Sequence, residues 1–218
     1  MGDMSVNVQD LAGHLIRPRM GRRLLALTLS LIVIGVCVAV FKTVGFGTDP
    51  CSTFTLGVSA RTGVSFGTCQ LAFNLLMFVP VLRYDLSRIG IGTIGNMVGV
   101  GYIADFCMKL MQQAIPAEGL SMTARVVMLA LSMAGFLVAA AFYMVADLGV
   151  APYDAVPQLI AARVKGWSYR RVRMVWDISI LSVGFFLGST VGLTTVLTGF
   201  CLGPVIALIS DRVGGWFA

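Results

Sequence analysis

Residues 24–44 read LLALTLSLIVIGVCVAVFKTV, a run of 21 residues whose single charge, Lys42, sits near its end. An α-helix rises about 1.5 Å per residue, so about 20 apolar residues cross a hydrocarbon core of roughly 30 Å. Comparable runs follow at Phe66–Tyr84, Gly90–Gln113, Val126–Val145, Tyr169–Gly188 and Gly192–Val213. Their continuous apolarity selects helices, because barrel strands alternate and an open sheet leaves backbone groups unpaired in lipid. The whole chain agrees: 57% of its 218 residues are hydrophobic and 12% are charged, with mean hydropathy +0.89. Soluble domains carry about 25% charged residues. The first run is longer than the apolar core of a cleaved signal peptide and is expected to remain as a helix. The expected fold is an all-α integral membrane protein with six transmembrane helices.

Charge sets the expected orientation. With the N-terminus in the cytoplasm, twelve of the sixteen Lys and Arg fall on the inner side, leaving Lys42, Arg61, Lys109 and Arg125 outside. The positive-inside rule then predicts a multi-pass protein of the plasma (inner) membrane with both termini cytoplasmic. The net charge of +6 is accounted for by basic residues beside hydrophobic ends, among them Arg170, Arg171 and Arg173, which suit anionic lipid headgroups rather than nucleic acid. The five cysteines, Cys37, Cys51, Cys69, Cys107 and Cys201, show no CxxC pairing and read as small buried hydrophobes. The only histidine, His14, precedes the first span. No metal, cofactor or intramembrane acid–base enzyme is expected.

The chain repeats itself. A shift of 102 residues places Arg23 on Arg125, Ser30 on Ser132, Gly47 on Gly149, Pro50 on Pro152, Arg61 on Arg163, Gly90 on Gly192 and Thr93 on Thr195. One extra residue near Lys165 places Asn74 on Asp177. The expected organisation is a cytoplasmic segment over residues 1–21, a three-span repeat over 22–115, an outer loop over 116–125 and a second three-span repeat over 126–218. An odd number of spans per repeat inverts the second relative to the first, an arrangement characteristic of secondary transporters.

Each repeat has a break after its first span, Gly47-Thr48-Asp49-Pro50 and Gly149-Val150-Ala151-Pro152-Tyr153-Asp154, followed by a segment too short to cross. Glycine ends a helix and proline starts one, with Thr48 and Asp49 as candidate caps. The two short helices either dip back into the membrane, offering their N-termini to an anionic solute, or lie flat at the interface. Asp177 lies about nine residues into its span, roughly 13 Å deep, where an unpaired charge costs about 2.5–3.5 kcal/mol. Asn74 lies at similar depth in the other repeat. Asp177, Asn74, Thr48, Asp49, Ser52, Tyr153 and Asp154 are therefore the candidate substrate- or ion-binding residues. Lys42 reaches headgroups by snorkelling or pairs with Asp105, and the glycines of the third and sixth spans, including Gly95 and Gly99, read as close helix contacts.

The glycine–aspartate–proline break, its Gly-x-x-Pro-Tyr-Asp echo and the six-span size resemble the YczE/YitT-like bacterial membrane proteins, over about Arg22 to Val213. The resemblance implies a helical fold in a bacterial inner membrane and carries over no site residue. The expected function is a small secondary transporter or facilitator for a small polar or anionic organic solute, bound between the repeats near the midplane. The alternatives are a solute-binding subunit that needs an energising partner, since the chain has no P-loop of its own, and a non-transporting regulator. The expected partners are membrane lipid, a small-molecule solute and a second copy or partner subunit.

Overall fold

The structure, a computed structural model, describes residues 19–115, 119–199, 208, 209 and 212. Helices α1 (Met20–Val44), α2 (Pro50–Thr62), α3 (Phe66–Tyr84) and α4 (Ile91–Ala114) are followed by α5 (Met122–Ala146), α6 (Pro152–Arg163) and α7 (Tyr169–Phe186). Residues 193–199 are helical and are designated α8. No strand occurs among the described residues. Four helices, α1, α3, α4 and α5, are long and apolar enough to cross a membrane. The fifth expected span forms a helix, but Arg170, Arg171, Arg173 and Asp177 make it more polar than these four. The sixth begins in α8, and its remainder, apart from residues 208, 209 and 212, lies outside the described residues, as do Cys201 and residues 1–18 of the expected N-terminal segment.

Local chemistry sets these boundaries. Gly45 ends α1 with its N–H donating to Phe41 O, and the Asp49 carboxylate caps α2 by accepting from Ser52 N at 3.0 Å, with Pro50 in the first turn. Asp147, a left-handed residue at φ 51, ends α5, and Pro152 opens α6. Pro157 lies inside α6, which starts at Pro152 all the same. Helix α5 starts four residues before the expected span because Ser121 Oγ accepts from Ala124 N at 3.2 Å. Within α4, residues Asn96–Val100 form a π-helical turn that the sequence did not announce; such turns recur at functional sites.

Helices α1, α4 and α5 build the main core around Phe41, Val38, Ala104, Phe136 and Tyr143. Helices α1 and α5 run antiparallel: Arg23, in the first turns of α1, donates to Ala146 O at the end of α5 at 2.9 Å. A buried arginine thereby satisfies a carbonyl that the helix end leaves without a partner. Elsewhere small residues bring backbones together, as where Gly67 of α3 meets Gly101 of α4. At this contact Asp105 accepts from Gly67 N at 2.8 Å, placing its charge on the first turn of α3. Leu76, Phe106, Leu131 and Phe186 point outward and are more than 60% exposed, an outer surface suited to lipid.

The two short helices each bridge α3 and α7: α2 packs mostly against α7 and also against α3, and α6 packs against α3 and α7 alike. Their N-terminal halves are buried, whereas Ala60–Thr62 and Ala162–Val164 are exposed. The breaks that precede them meet the spans in a crossed sense. Gly92 N donates to Leu148 O at 2.7 Å and Thr194 N donates to Phe46 O at 3.0 Å. Gly149 (φ +114) lies against Gly90 and Thr93, and Gly47 (φ +87) lies against Gly192 and Thr195.

Candidate functional site

A cavity of about 590 Å³ lies where α2, α3, α6 and α7 converge on the main core. Its apolar wall comes from α1, α4 and α5, including Ile34, Val38, Val100 and Phe136, and its polar wall includes Asp49, Ser52, Gln70, Asn74, Asp154, Arg173 and Asp177. Its volume is that of a small-molecule site. Tyr169 and Arg170 line it at the end formed by the α6–α7 connection.

Four of the polar groups form one relay. Tyr153, in the first turn of α6, donates through its hydroxyl to Asp177 Oδ1 at 2.6 Å. Arg173 donates from Nε to Asp177 Oδ2 at 2.8 Å and from Nη1 to Asp154 Oδ1 at 2.5 Å. Positions 173 and 177 are one helical turn apart, so the first pair forms along a single face of α7; the second ties α7 to α6. The Arg173 guanidinium also lies 5.2 Å from the centre of the Tyr153 ring, a cation–π distance. The Tyr153 ring lies between Trp176 on one side and Phe73, followed by Phe54, on the other, with centroid separations of 4.5–6.1 Å. Both carboxylates are thereby paired, which removes most of the cost of placing them in an apolar bundle.

The α2–α3 side is arranged differently. Gln70 accepts from Thr55 Oγ1 at 2.8 Å, and Asn74 Nδ2 donates to Gln70 O at 3.0 Å. Asn74 is 1% exposed, and its Oδ1 has no hydrogen-bond partner among the described residues. Asp49 Oδ1 is in the same position, its other oxygen being the α2 cap. A buried acceptor left unmet costs about 1–3 kcal/mol.

Six of the seven candidates from the sequence, Asp177, Asn74, Asp49, Ser52, Tyr153 and Asp154, thus line one cavity. Thr48 does not: its hydroxyl is bonded to Thr53 Oγ1 at 2.9 Å, and it borders a separate small pocket with Lys42 and Gly188. Arg173 was assigned to the lipid surface from sequence, but it is the centre of the relay. The register that pairs Asn74 with Asp177 also pairs Gln70 with Arg173, and that was the available signal. No group of three or more His, Cys, Asp or Glu side chains suited to a metal occurs among the described residues. Cys37, Cys51, Cys69 and Cys107 are free thiols, the first three buried.

The rim beside α6 is tied down by Arg88, whose guanidinium bonds Gln158, a lining residue, and Asp85 Oδ2. Burial acts to raise the pKa of Asp85, but the Ser87 hydroxyl at 2.5 Å and the Arg88 guanidinium at 2.6 Å outweigh it and hold the carboxyl below its usual range. A depressed folded-state pKa stabilises the protein above the unfolded value and loses that contribution as pH falls through the folded one. Melting curves should therefore show native protein more stable than Asp85→Asn by a constant margin above about pH 5, and the margin should shrink as pH falls below about 4.

Comparison with known proteins gives a family and no function. A protein 25% identical over 180 residues, 83% of this chain and 79% of the relative, is the "Uncharacterized protein" of Haemophilus influenzae. Another, 24% identical over 160 residues, covering 73% of this chain and 72% of the relative, is the "Uncharacterized membrane protein YczE" of Bacillus subtilis. No solved structure matches the chain. Residues 21–211 match the model of a "Family of unknown function (DUF6198)", so the helices α1 to α8, Met20 apart, and every lining residue of the cavity lie within the matched region. This chain belongs to that family, and its relatives include a YczE membrane protein.

Proposed function

We propose that the protein is a small secondary transporter of a bacterial inner membrane, with six spans arranged as two inverted repeats and both termini cytoplasmic, and that it carries a small polar organic solute through the cavity between the repeats. The observation that carries this reading is the Asp154–Arg173–Asp177 relay in the cavity wall. Charged groups at such a depth are expensive to maintain in a bundle, and a purely structural contact could be made with apolar side chains. The crossed contacts of Gly47 with Gly192 and of Gly149 with Gly90, and the antiparallel pairing of α1 with α5, support an inverted repeat. The buried N-terminal halves of α2 and α6 support re-entrant rather than interfacial helices.

In this reading Asp177 is the coupling group. When it is ionised, Arg173 is clamped between α6 and α7. A proton on Asp177 neutralises one of the two carboxylates that hold Arg173, which weakens the tie along α7 and lets α7 shift against α6. Transport coupled to a proton gradient follows if solute binding and protonation favour the same arrangement.

Protein reconstituted in liposomes under an imposed proton gradient should accumulate solute from pools of labelled amines, amino acids, acids or vitamins. Asp177→Asn should abolish gradient-driven accumulation while leaving the protein folded, because Arg173 keeps Asp154 as its partner. Undiminished gradient-driven uptake in that variant removes Asp177 from the mechanism. No uptake from any pool, with tight capture of a partner protein, replaces the transporter by a partner-dependent subunit or a regulator.

A further inference from the structure

We infer that the solute carries a positively charged amino head on an apolar body, an assignment that rests on the transporter reading and narrows it to a substrate class. Three features of the cavity support it. Its unmet buried polar atoms are acceptors: Asn74 Oδ1 and Asp49 Oδ1 lack a donor among the described residues, so a ligand that brings N–H groups recovers hydrogen bonds that water alone supplies in its absence.

The positive groups are already committed. Arg173 is shared between Asp154 and Asp177, and the open first turn of α2 is filled by the Asp49 carboxylate. The first-turn amides of α6, Asp154 N and Ala155 N, donate to Ala151 O. The anionic solute expected from helix N-termini alone would meet Asp49 there. Three carboxylates, Asp49, Asp154 and Asp177, line the cavity with one part-buried guanidinium, Arg173, among them. Arg170 is exposed at the rim. An ammonium group beside Asp49 therefore brings an opposite charge to a carboxylate-rich wall, where a carboxylate would bring a like one.

The opposite wall is mostly apolar: Ile34, Val38, Val100, Phe136, Ala140 and Met144 line it beside Asn96 and Tyr143, and the six apolar side chains suit a hydrocarbon or aromatic body. A cavity of about 590 Å³ accommodates both parts. The arrangement predicts that Asp49 holds the head, that Asn74 accepts one of its N–H groups, and that the α1–α4–α5 wall covers the rest.

The test uses three probes of one shape, benzylamine, benzyl alcohol and benzoate, with binding to the purified full-length protein measured by calorimetry and thermal shift. Benzylamine should bind roughly tenfold or more tightly than either of the others. Asp49→Asn keeps a capping side chain at the start of α2, since asparagine caps as well as aspartate, so the unliganded variant should melt close to the native protein while its preference for benzylamine is lost. Asn74→Leu should weaken benzylamine without creating affinity for benzoate. Benzoate binding as tightly as benzylamine overturns the substrate class and leaves the transporter reading standing. Undiminished benzylamine binding in Asp49→Asn, or no benzylamine binding at all, also overturns it, and the uptake assay with mixed pools decides the transporter reading separately.

Discussion

Replacing Arg173 with glutamine should destabilise the protein by about 3 kcal/mol, the low end of the range for removing one member of a buried ion pair. The argument rests on what stays behind. Without the guanidinium, Asp154 and Asp177 remain in the cavity wall with no opposite charge, and Asp177 keeps only the Tyr153 hydroxyl. Asp154 is 38% exposed, against 13% for Asp177, so water screens the first better than the second and the cost stays at the low end. Adding Asp177→Asn to the same chain should recover part of the loss, with a coupling of about 1–3 kcal/mol. Arg171→Gln, two residues away and exposed, should change stability by no more than about 0.5 kcal/mol. Unfolding in detergent of the native protein, Arg173→Gln, Asp177→Asn, their double variant and Arg171→Gln checks these values. Equal effects of the 171 and 173 substitutions would mean that the relay does not hold α6 to α7.

Gly149→Ala should be as damaging, for a reason that involves no charge. Gly149 has φ +114, and a Cβ there would lie 2.5 Å from Thr93 Oγ1 and 2.6 Å from Gly90 N. The left-handed backbone costs a non-glycine residue about 1–3 kcal/mol, and forcing a methyl group into closed packing adds about 1–3 kcal/mol. A total loss of about 2–6 kcal/mol is expected. Gly166 separates the two contributions. It has φ +82 with no atom within 4 Å of the added Cβ, so Gly166→Ala should show the backbone cost alone. If the two alanine variants melt alike, the contact between the second break and the start of α4 is looser than the structure gives.

Most of the fold was legible in the sequence, because apolar runs and helix signals act locally. Four of the six expected spans, the breaks at Gly47–Pro50 and Gly149–Pro152 and the cap by Asp49 all follow from residue types within a few positions of each other. Depth along a helix is local too, which is why Asn74 and Asp177 stood out. The tertiary pairing was not legible. Nothing near α2 in sequence says that it packs on α7 as well as on its neighbour α3, and that contact is what brings Asp49 and Asn74 into one cavity with Asp154 and Asp177. Arg173 was missed because an arginine in the first turns of a spanning helix has a ready surface explanation, and only its partner on α6 distinguishes a buried guanidinium from a lipid-facing one. Thr48 was included because it sits beside Asp49 in the chain, but its side chain turns to Thr53. The π-helical turn at Asn96–Val100 has no local signature that we can name.

The central claim is that one cavity serves both sides of the membrane. It is tested most directly at Ser52, a buried lining residue, made the sole cysteine by Ser52→Cys in a chain whose five native cysteines are replaced. A membrane-impermeant thiol reagent is applied to vesicles of each orientation, with and without a solute that the protein binds. The account predicts labelling from both faces, in proportions that the solute shifts. Labelling from one face only, whatever solute is present, would contradict alternating access and leave a binding protein instead of a transporter.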